Sequence, residues 1–353
     1  EKMDNSIKID SKNLENKEIP EEISKKLRAS YYFMSALLGK YKKVEMYFPG
    51  GCNIGKRPID QTLKAFKLLG ATVVEENNRY LIYANELKGA KINLDMSSVG
   101  ATINAIFASV KAKGKTTITN AAREPEIDNV IEFLNKMGAK INRVEDTTIV
   151  VEGVEYLSKA KIDTIPDRIE AGTYILAGAI AGDNLRVENL IPNHVGALLD
   201  TLKELGILYQ VDDDSVIISK SDSVNDINLT TEVYPGFPTD LQQPITALLT
   251  KTKNISYLTE TVYENRFQNV EYLNKMGADI KINNRTISIA RTENLKGTEV
   301  IATDLRAGAC MILAALGAEG ETTISEIEHV LRGYENIITK LQNVGAKIRK
   351  ETI

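Results

Sequence analysis

The sequence predicts an α/β protein of two domains, each assembled from copies of one helix–strand–helix–strand–strand unit. Three observations predict it. An amphipathic helix closed by a glycine and followed by a strand recurs five times, at Leu69-Gly70-Ala71, Met137-Gly138-Ala139, Leu205-Gly206-Ile207, Met276-Gly277-Ala278 and Val344-Gly345-Ala346. The glycine-to-glycine intervals are 68, 68, 71 and 68 residues, and spacing so even marks a structural repeat. The chain has 353 residues, 43% of them apolar, which is enough for a core in each of two domains.

Each element of the unit has a local cause. The glycines can take the left-handed conformation that closes a helix. Two alternating strands then follow around a polar turn, as in Ala71 to Tyr83 around Glu75-Glu76-Asn77-Asn78 and Ala278 to Ala290 around Asn283-Asn284. A second helix is expected half a period earlier, from Ser98 to Lys111, Arg168 to Ala181 and Leu305 to Leu316, because apolar residues recur there at helical spacing. β-rich runs such as Thr116-Thr117-Ile118 and Thr322-Thr323-Ile324 come next. Asp95 or Ser97, Asp167, Asp240 and Asp304 stand where each of these helices begins, and capping is the plain structural role of each.

The natural cut falls near Ile165-Pro166, giving a first domain over 1–165 with two repeats and a second over 166–353 with three. That imbalance, and a start at Glu1-Lys2-Met3, predict a sixth copy upstream.

Composition narrows the function. There is no run of 18 apolar residues and no charged-then-apolar leader, so the expectation is a soluble, cytoplasmic protein without a membrane partner. A net charge of −4 argues against a broad nucleic-acid surface, leaving local arginines to meet any anion. The two cysteines are far apart and no Cys/His cluster has metal-site spacing; His194 and His329 show no partner pattern. Neither a metal nor a cofactor is expected.

The most unusual segment is Pro49 to Pro58, whose glycines and prolines preclude helix, with Pro58 expected to open the next one. Cys52 lies within it, beside Lys56 and Arg57, where a thiol pKa should fall. Cys310, in an apolar helix, reads as buried and inert. Arginine is the rarer cation, so its positions count. Arg28 follows the helical face of Ile23, Leu27, Met34 and Leu38. Arg57 closes the Cys loop, Arg266 sits in Glu264-Asn265-Arg266-Phe267, Arg306 starts a helix, and Arg332 precedes Gly333-Tyr334-Glu335. Several fall at one level of successive repeats, which would gather them in a cleft suited to a polyanionic substrate. Asp240, at the end of the rigid Tyr234-Pro235-Gly236-Phe237-Pro238-Thr239 loop, could serve there as a general base.

Taken together, Leu27-Arg28-Ala29-Ser30, the PGGCNIGKRPID loop (49–60), Ser98-Val99-Gly100-Ala101-Thr102, Asn120 to Glu126, Pro166 to Glu170, Phe237-Pro238-Thr239-Asp240, Thr261 to Phe267, Ala302 to Ala307 and Arg332-Gly333-Tyr334-Glu335 resemble the UDP-N-acetylglucosamine 1-carboxyvinyltransferase family. The resemblance implies two inside-out α/β barrels of three repeats each. It also implies transfer of the enolpyruvyl group of phosphoenolpyruvate to the 3-hydroxyl of UDP-N-acetylglucosamine, with release of phosphate, in peptidoglycan synthesis. By the same resemblance Cys52 is the general acid, Asp240 deprotonates the attacking hydroxyl, Arg57 and Arg332 hold phosphate, and Arg266 and Arg306 grip the carboxylate. Arg28, the segment Arg57, Pro58, Ile59, Asp60 and Gln61, then Met96, Ser97, Ser98 and Val99, and finally Val262, fall where the family binds the uridine nucleotide. Gln61, Met96 and Leu331 replace the family's usual Leu, Lys and acidic residue, and its Lys-Asn pair, which contacts phosphoenolpyruvate, would lie before Glu1. Two rivals remain: the shikimate-pathway enolpyruvyl transferase, disfavoured by a Cys in the Pro-Gly-Gly loop, and a UDP-sugar binding module without turnover.

Overall fold

All five repeat glycines adopt positive φ, from 78° at Gly206 to 102° at Gly138, each just past the end of a helix. The structure, a computed structural model, describes residues 1–3, 5–50 and 57–351. Two of these turns share a further device. The Asn135 side chain pairs both ways with the backbone of Ile141, at 2.8 and 3.0 Å, and Asn274 does the same with Ile280, at 2.9 and 3.0 Å. A side-chain amide thus stands in for a neighbouring strand where the chain reverses.

Two compact units result, Glu1–Gly51 with Pro58–Asp163, and Thr164–Ile353, the latter also taking Arg57. In the first, one sheet has the order Lys43–Tyr47, Arg79–Tyr83, Thr72–Glu76, and a second has Lys91–Asn93, Lys115–Thr119, Thr148–Glu152, Lys140–Glu145. The second unit repeats the four-stranded pattern with Asn228–Thr230, Ile255–Thr259, Thr286–Ala290 and Asp279–Asn283. In both four-stranded sheets the first pair is parallel and the remainder antiparallel. Alternate residues such as Ile149 and Val151, or Ile287 and Ile289, are buried under each sheet, while the neighbours between them are only half-buried.

The most buried helices of each unit, such as Val99–Val110 and Arg168–Ala181, lie inside with the sheets outside, which is the inside-out arrangement expected. In the second unit Arg168–Ala181, Gln242–Leu249 and Leu305–Gly317 pack on one another. Small residues permit the approach: a Cβ on Gly317 would meet Ile180 Cγ2 at 2.8 Å, and glycines make room for neighbouring segments too, a Cβ on Gly308 meeting Val330 Cγ2 at 2.3 Å and one on Gly172 meeting Leu241 Cδ1 at 2.7 Å.

Several expectations need correction. Ser98, not Asp95 or Ser97, caps the Val99–Val110 helix, accepting from the Ala101 amide at 3.3 Å. Pro58 does not open a helix; Asp60–Leu68 begins two residues later, with Ile59 as its N-cap residue. The face carrying Arg28 is broken. The Glu21–Lys26 helix stops at extended Leu27, a 3-10 turn covers Arg28–Tyr31, and Tyr32–Tyr41 is a separate helix. After Gly345 no strand forms among the described residues, since no ladder partner meets that segment there. Asp167 and Asp304 do cap their helices, each accepting from two backbone amides. Asp240 does not.

Candidate active site

Asp240 lies in a one-turn 3-10 helix, Thr239–Leu241, ahead of the Gln242–Leu249 helix, and its carboxylate turns away from the helix amides toward two guanidiniums. Arg266 Nη2 donates to Oδ1 at 2.5 Å and Arg306 Nη2 to Oδ2 at 3.0 Å. Charged donors outcompete amide dipoles for a carboxylate, which is why the capping role fails here. Arg266 reaches the spot from the loop before Gln268–Lys275, and Arg306 from the second residue of Leu305–Gly317. Of the five arginines expected in one cleft, the structure brings Arg266 and Arg306, from different helices of successive repeats, onto one carboxylate, with Arg57 at the Tyr263 ring beside Arg266.

Enclosure by protein would push the Asp240 carboxyl up, but Arg306 and Arg266 outweigh it and hold the group far below the usual carboxylate range. The Asp240 side chain is still 39% exposed, so solvent weakens both ion pairs.

The second nitrogen of each arginine is held by a hydroxyl. Arg306 Nη1 donates to the Tyr334 hydroxyl at 2.8 Å. That hydroxyl lies 2.9 Å from Thr173 Oγ1, which itself donates to the Ile169 carbonyl at 2.8 Å. Because the Thr173 proton is committed, Tyr334 must donate to Thr173 and accept from Arg306, which requires a neutral phenol. Burial raises the Tyr334 pKa and secures that state. Arg266 Nη1 donates to Thr239 Oγ1 at 2.7 Å. The Tyr263 ring packs beside Arg266 and Arg57, with guanidinium carbons 5.2 and 5.5 Å from its centroid. Arg332 is exposed at the end of the short Glu328–Leu331 helix, two residues before Tyr334. Val262 is half-buried, its amide donating to Glu260 at 2.7 Å. Cys52 lies outside the described residues. Cys310 is fully buried, its thiol pushed up to about 12 by burial, as its inert reading requires.

In the first unit, the expected nucleotide residues gather near the N-terminus of Val99–Val110. Gln61 accepts from the Asp95 amide at 2.8 Å and donates to Asp95 Oδ2 at 3.1 Å and Asp60 Oδ2 at 2.8 Å, tying Asp60 and Gln61 to the strand end that leads into Met96 and Ser97. Arg28 donates to the Pro49 carbonyl at 3.2 Å and stacks on the Tyr31 ring at 5.3 Å, while the Tyr31 hydroxyl fills the space where a Gly100 side chain would go. Met96 is exposed, Ser98 and Val99 half-buried, Ile59 buried and Pro58 exposed. A helix N-terminus flanked by an arginine suits a phosphate.

Sequence reading missed the roles of Tyr334, Thr173, Thr239, Thr231 and Glu260. Tyr334, two residues after Arg332, and Thr239, next to Asp240, stood in the motifs that carry the resemblance, which was a usable signal; Thr173, Thr231 and Glu260 gave none.

The family described as EPSP synthase (3-phosphoshikimate 1-carboxyvinyltransferase) matches over residues 1–341, and the chain belongs to it. Within that family, UDP-N-acetylglucosamine 1-carboxyvinyltransferase 2 of Shouchella clausii is 48% identical over 335 residues, covering 95% of this chain and 78% of the relative. The protein of that name from Listeria monocytogenes (strain EGD-e) is 46% identical over 344 residues, covering 98% and 81%. The solved enolpyruvyl transferase NikO from Streptomyces tendae shares the fold, with a TM-score of 0.84 at 24% identity over 94% of this chain and 79% of that one.

Proposed function

We propose that this protein transfers the enolpyruvyl group of phosphoenolpyruvate to the 3-hydroxyl of UDP-N-acetylglucosamine, releasing phosphate, in peptidoglycan synthesis. The single observation that carries the reading is the Asp240 carboxylate held between Arg266 and Arg306. The 48% identity to a carboxyvinyltransferase of that substrate supports it over the shikimate-pathway rival.

Addition joins the sugar oxygen to C2 of the enol while C3 gains a proton; elimination then returns a proton from C3 and expels phosphate. Cys52 supplies the C3 proton. Arg57 and Arg332 hold the phosphate as charge builds on it, and Arg266 and Arg306 take the donor's carboxylate in two-point contacts. Asp240 takes the hydroxyl proton. Its low pKa makes it a poor base while both arginines hold it. When the donor carboxylate takes over those guanidiniums, the Asp240 pKa rises and the base becomes effective. Arg28, Arg57 to Gln61, Met96 to Val99 and Val262 bind the nucleotide. Among the described residues no helix is long and apolar enough to cross a membrane, and we place the protein in the cytoplasm with its two small-molecule substrates.

The test is phosphate release from phosphoenolpyruvate. Turnover with UDP-N-acetylglucosamine supports the proposal. Turnover only with shikimate 3-phosphate overturns it in favour of the rival, and tight UDP-sugar binding without turnover overturns it in favour of a binding module. The epoxide fosfomycin should alkylate Cys52 and block turnover, with Cys52→Ser insensitive.

A further inference from the structure

Behind the arginine pair lies a carboxylate that the reaction as described leaves without a role. Glu260 follows the Ile255–Thr259 strand and is fully buried. Its Oε1 accepts from the Val262 amide at 2.7 Å, the Tyr263 amide at 3.1 Å and the Thr231 hydroxyl at 3.0 Å. Its Oε2 accepts from the Thr239 hydroxyl at 2.8 Å, and Thr239 accepts from Arg266 Nη1 at 2.7 Å.

We propose that Glu260 is a positioning residue for Arg266, acting through the Thr239 hydroxyl, so that Arg266 presents a fixed guanidinium to the donor's carboxylate. This rests on the reading that Arg266 grips that group. The argument is one of proton direction. A carboxylate has no proton to give, so the single Thr239 proton points at Oε2 and the hydroxyl's lone pairs are left for Arg266. Arg266 is thereby held at both ends of its fork, at Nη1 by Thr239 and at Nη2 by Asp240. If Asp240 yields to the substrate, the Thr239–Glu260 anchor is the contact that keeps the guanidinium plane in place. Glu260 also sets a second negative charge behind the two arginines, so the ligand-free cluster of Arg266, Arg306, Asp240 and Glu260 is formally neutral. The same carboxylate gathers the Val262 and Tyr263 amides, folding back the segment that carries Arg266.

Glu260→Gln separates these roles. The variant keeps an oxygen for the two amides and Thr231, while its amide nitrogen donates to Thr239 and competes with Arg266 for the same lone pairs. We expect the phosphoenolpyruvate KM to rise roughly tenfold, the loss of one buried charge-assisted contact. The UDP-N-acetylglucosamine KM should stay within about twofold of wild type. Thr239→Val should reproduce the effect, Thr239→Ser should restore normal kinetics, and Glu260→Gln with Thr239→Val should be no worse than the stronger single variant. A donor KM that does not move, equal rises in both KM values, or multiplying effects in the double variant would overturn the relay.

If wild type releases no phosphate, the functional reading fails by itself, and the relay is read without turnover. Exchange of the Arg266 guanidinium protons, followed by 15N NMR, should be slow in wild type and roughly tenfold faster in Glu260→Gln. Equal rates in the two proteins would overturn it.

Discussion

Arg266 and Arg306 hold opposite oxygens of one carboxylate, with Nη2 of the first 2.5 Å from Asp240 Oδ1 and Nη2 of the second 3.0 Å from Oδ2. The residue proposed as base therefore sits on the two cations proposed to grip the donor. Binding of an anionic donor has to exchange one carboxylate for another, and that exchange couples donor binding to activation of the base.

Removing the competing anion should separate binding from chemistry. For Asp240→Asn we expect turnover to fall by about a thousandfold, the usual weight of a positioned general base. Phosphoenolpyruvate binding, measured by calorimetry, should tighten by a few-fold because the resident anion is gone. Weaker donor binding in the variant would mean that Asp240 helps to hold the donor and does not compete with it.

The same residue gives a pH signature. Its folded carboxyl lies below the unfolded value of about 3.9, so Asp240 favours the folded state at all pH values above that, and the contribution is lost as pH falls toward the folded pKa. The difference in Tm between wild type and Asp240→Asn should be flat from about pH 5 to 8 and shrink below about pH 4. A difference that grows on acidification would contradict the pairing.

Close packing against the Leu305–Gly317 helix makes Gly308→Ala a packing probe two residues from Arg306. The added methyl would meet Val330 Cγ2 at 2.3 Å and Ala302 Cβ at 2.8 Å, and both residues are fully buried. We expect a loss of about 1–3 kcal/mol, read as a lower Tm in a thermal melt. Wild-type stability would show that the helices can separate at no cost.

The two thiols should respond unequally. Cys310 is buried and its pKa is pushed up to about 12, so iodoacetamide should leave it unmodified in the native protein and label it only after denaturation. Peptide mapping that finds native Cys310 labelled as fast as Cys52 would show that the Leu305–Gly317 helix opens readily.

The predicted repeat is legible because each copy must solve the same local problem. A helix has to end and reverse into a strand, and Gly70, Gly138, Gly206, Gly277 and Gly345 all take positive φ there. The Arg168–Ala181 helix matches its expected bounds, and Leu305–Gly317 runs one residue beyond them, because unbroken apolar runs have one stable placement, inside. The position of Asp240 was legible, its partner was not: the same aspartate before a helix serves as a cap at 167 and 304 and as an arginine ligand at 240.

What the sequence determined by itself was whatever depends on neighbours along the chain, namely the period, the glycine turns, the buried helices and the identity of the charged residues. Tertiary structure alone decided which donor meets which acceptor. Glu260, Thr239 and Arg266, like Thr173, Tyr334 and Arg306, come together from segments between 21 and 161 residues apart. Hydrogen bonds are short-ranged and directional, so such partnerships exist only once packing has fixed the side chains within about 3 Å of one another.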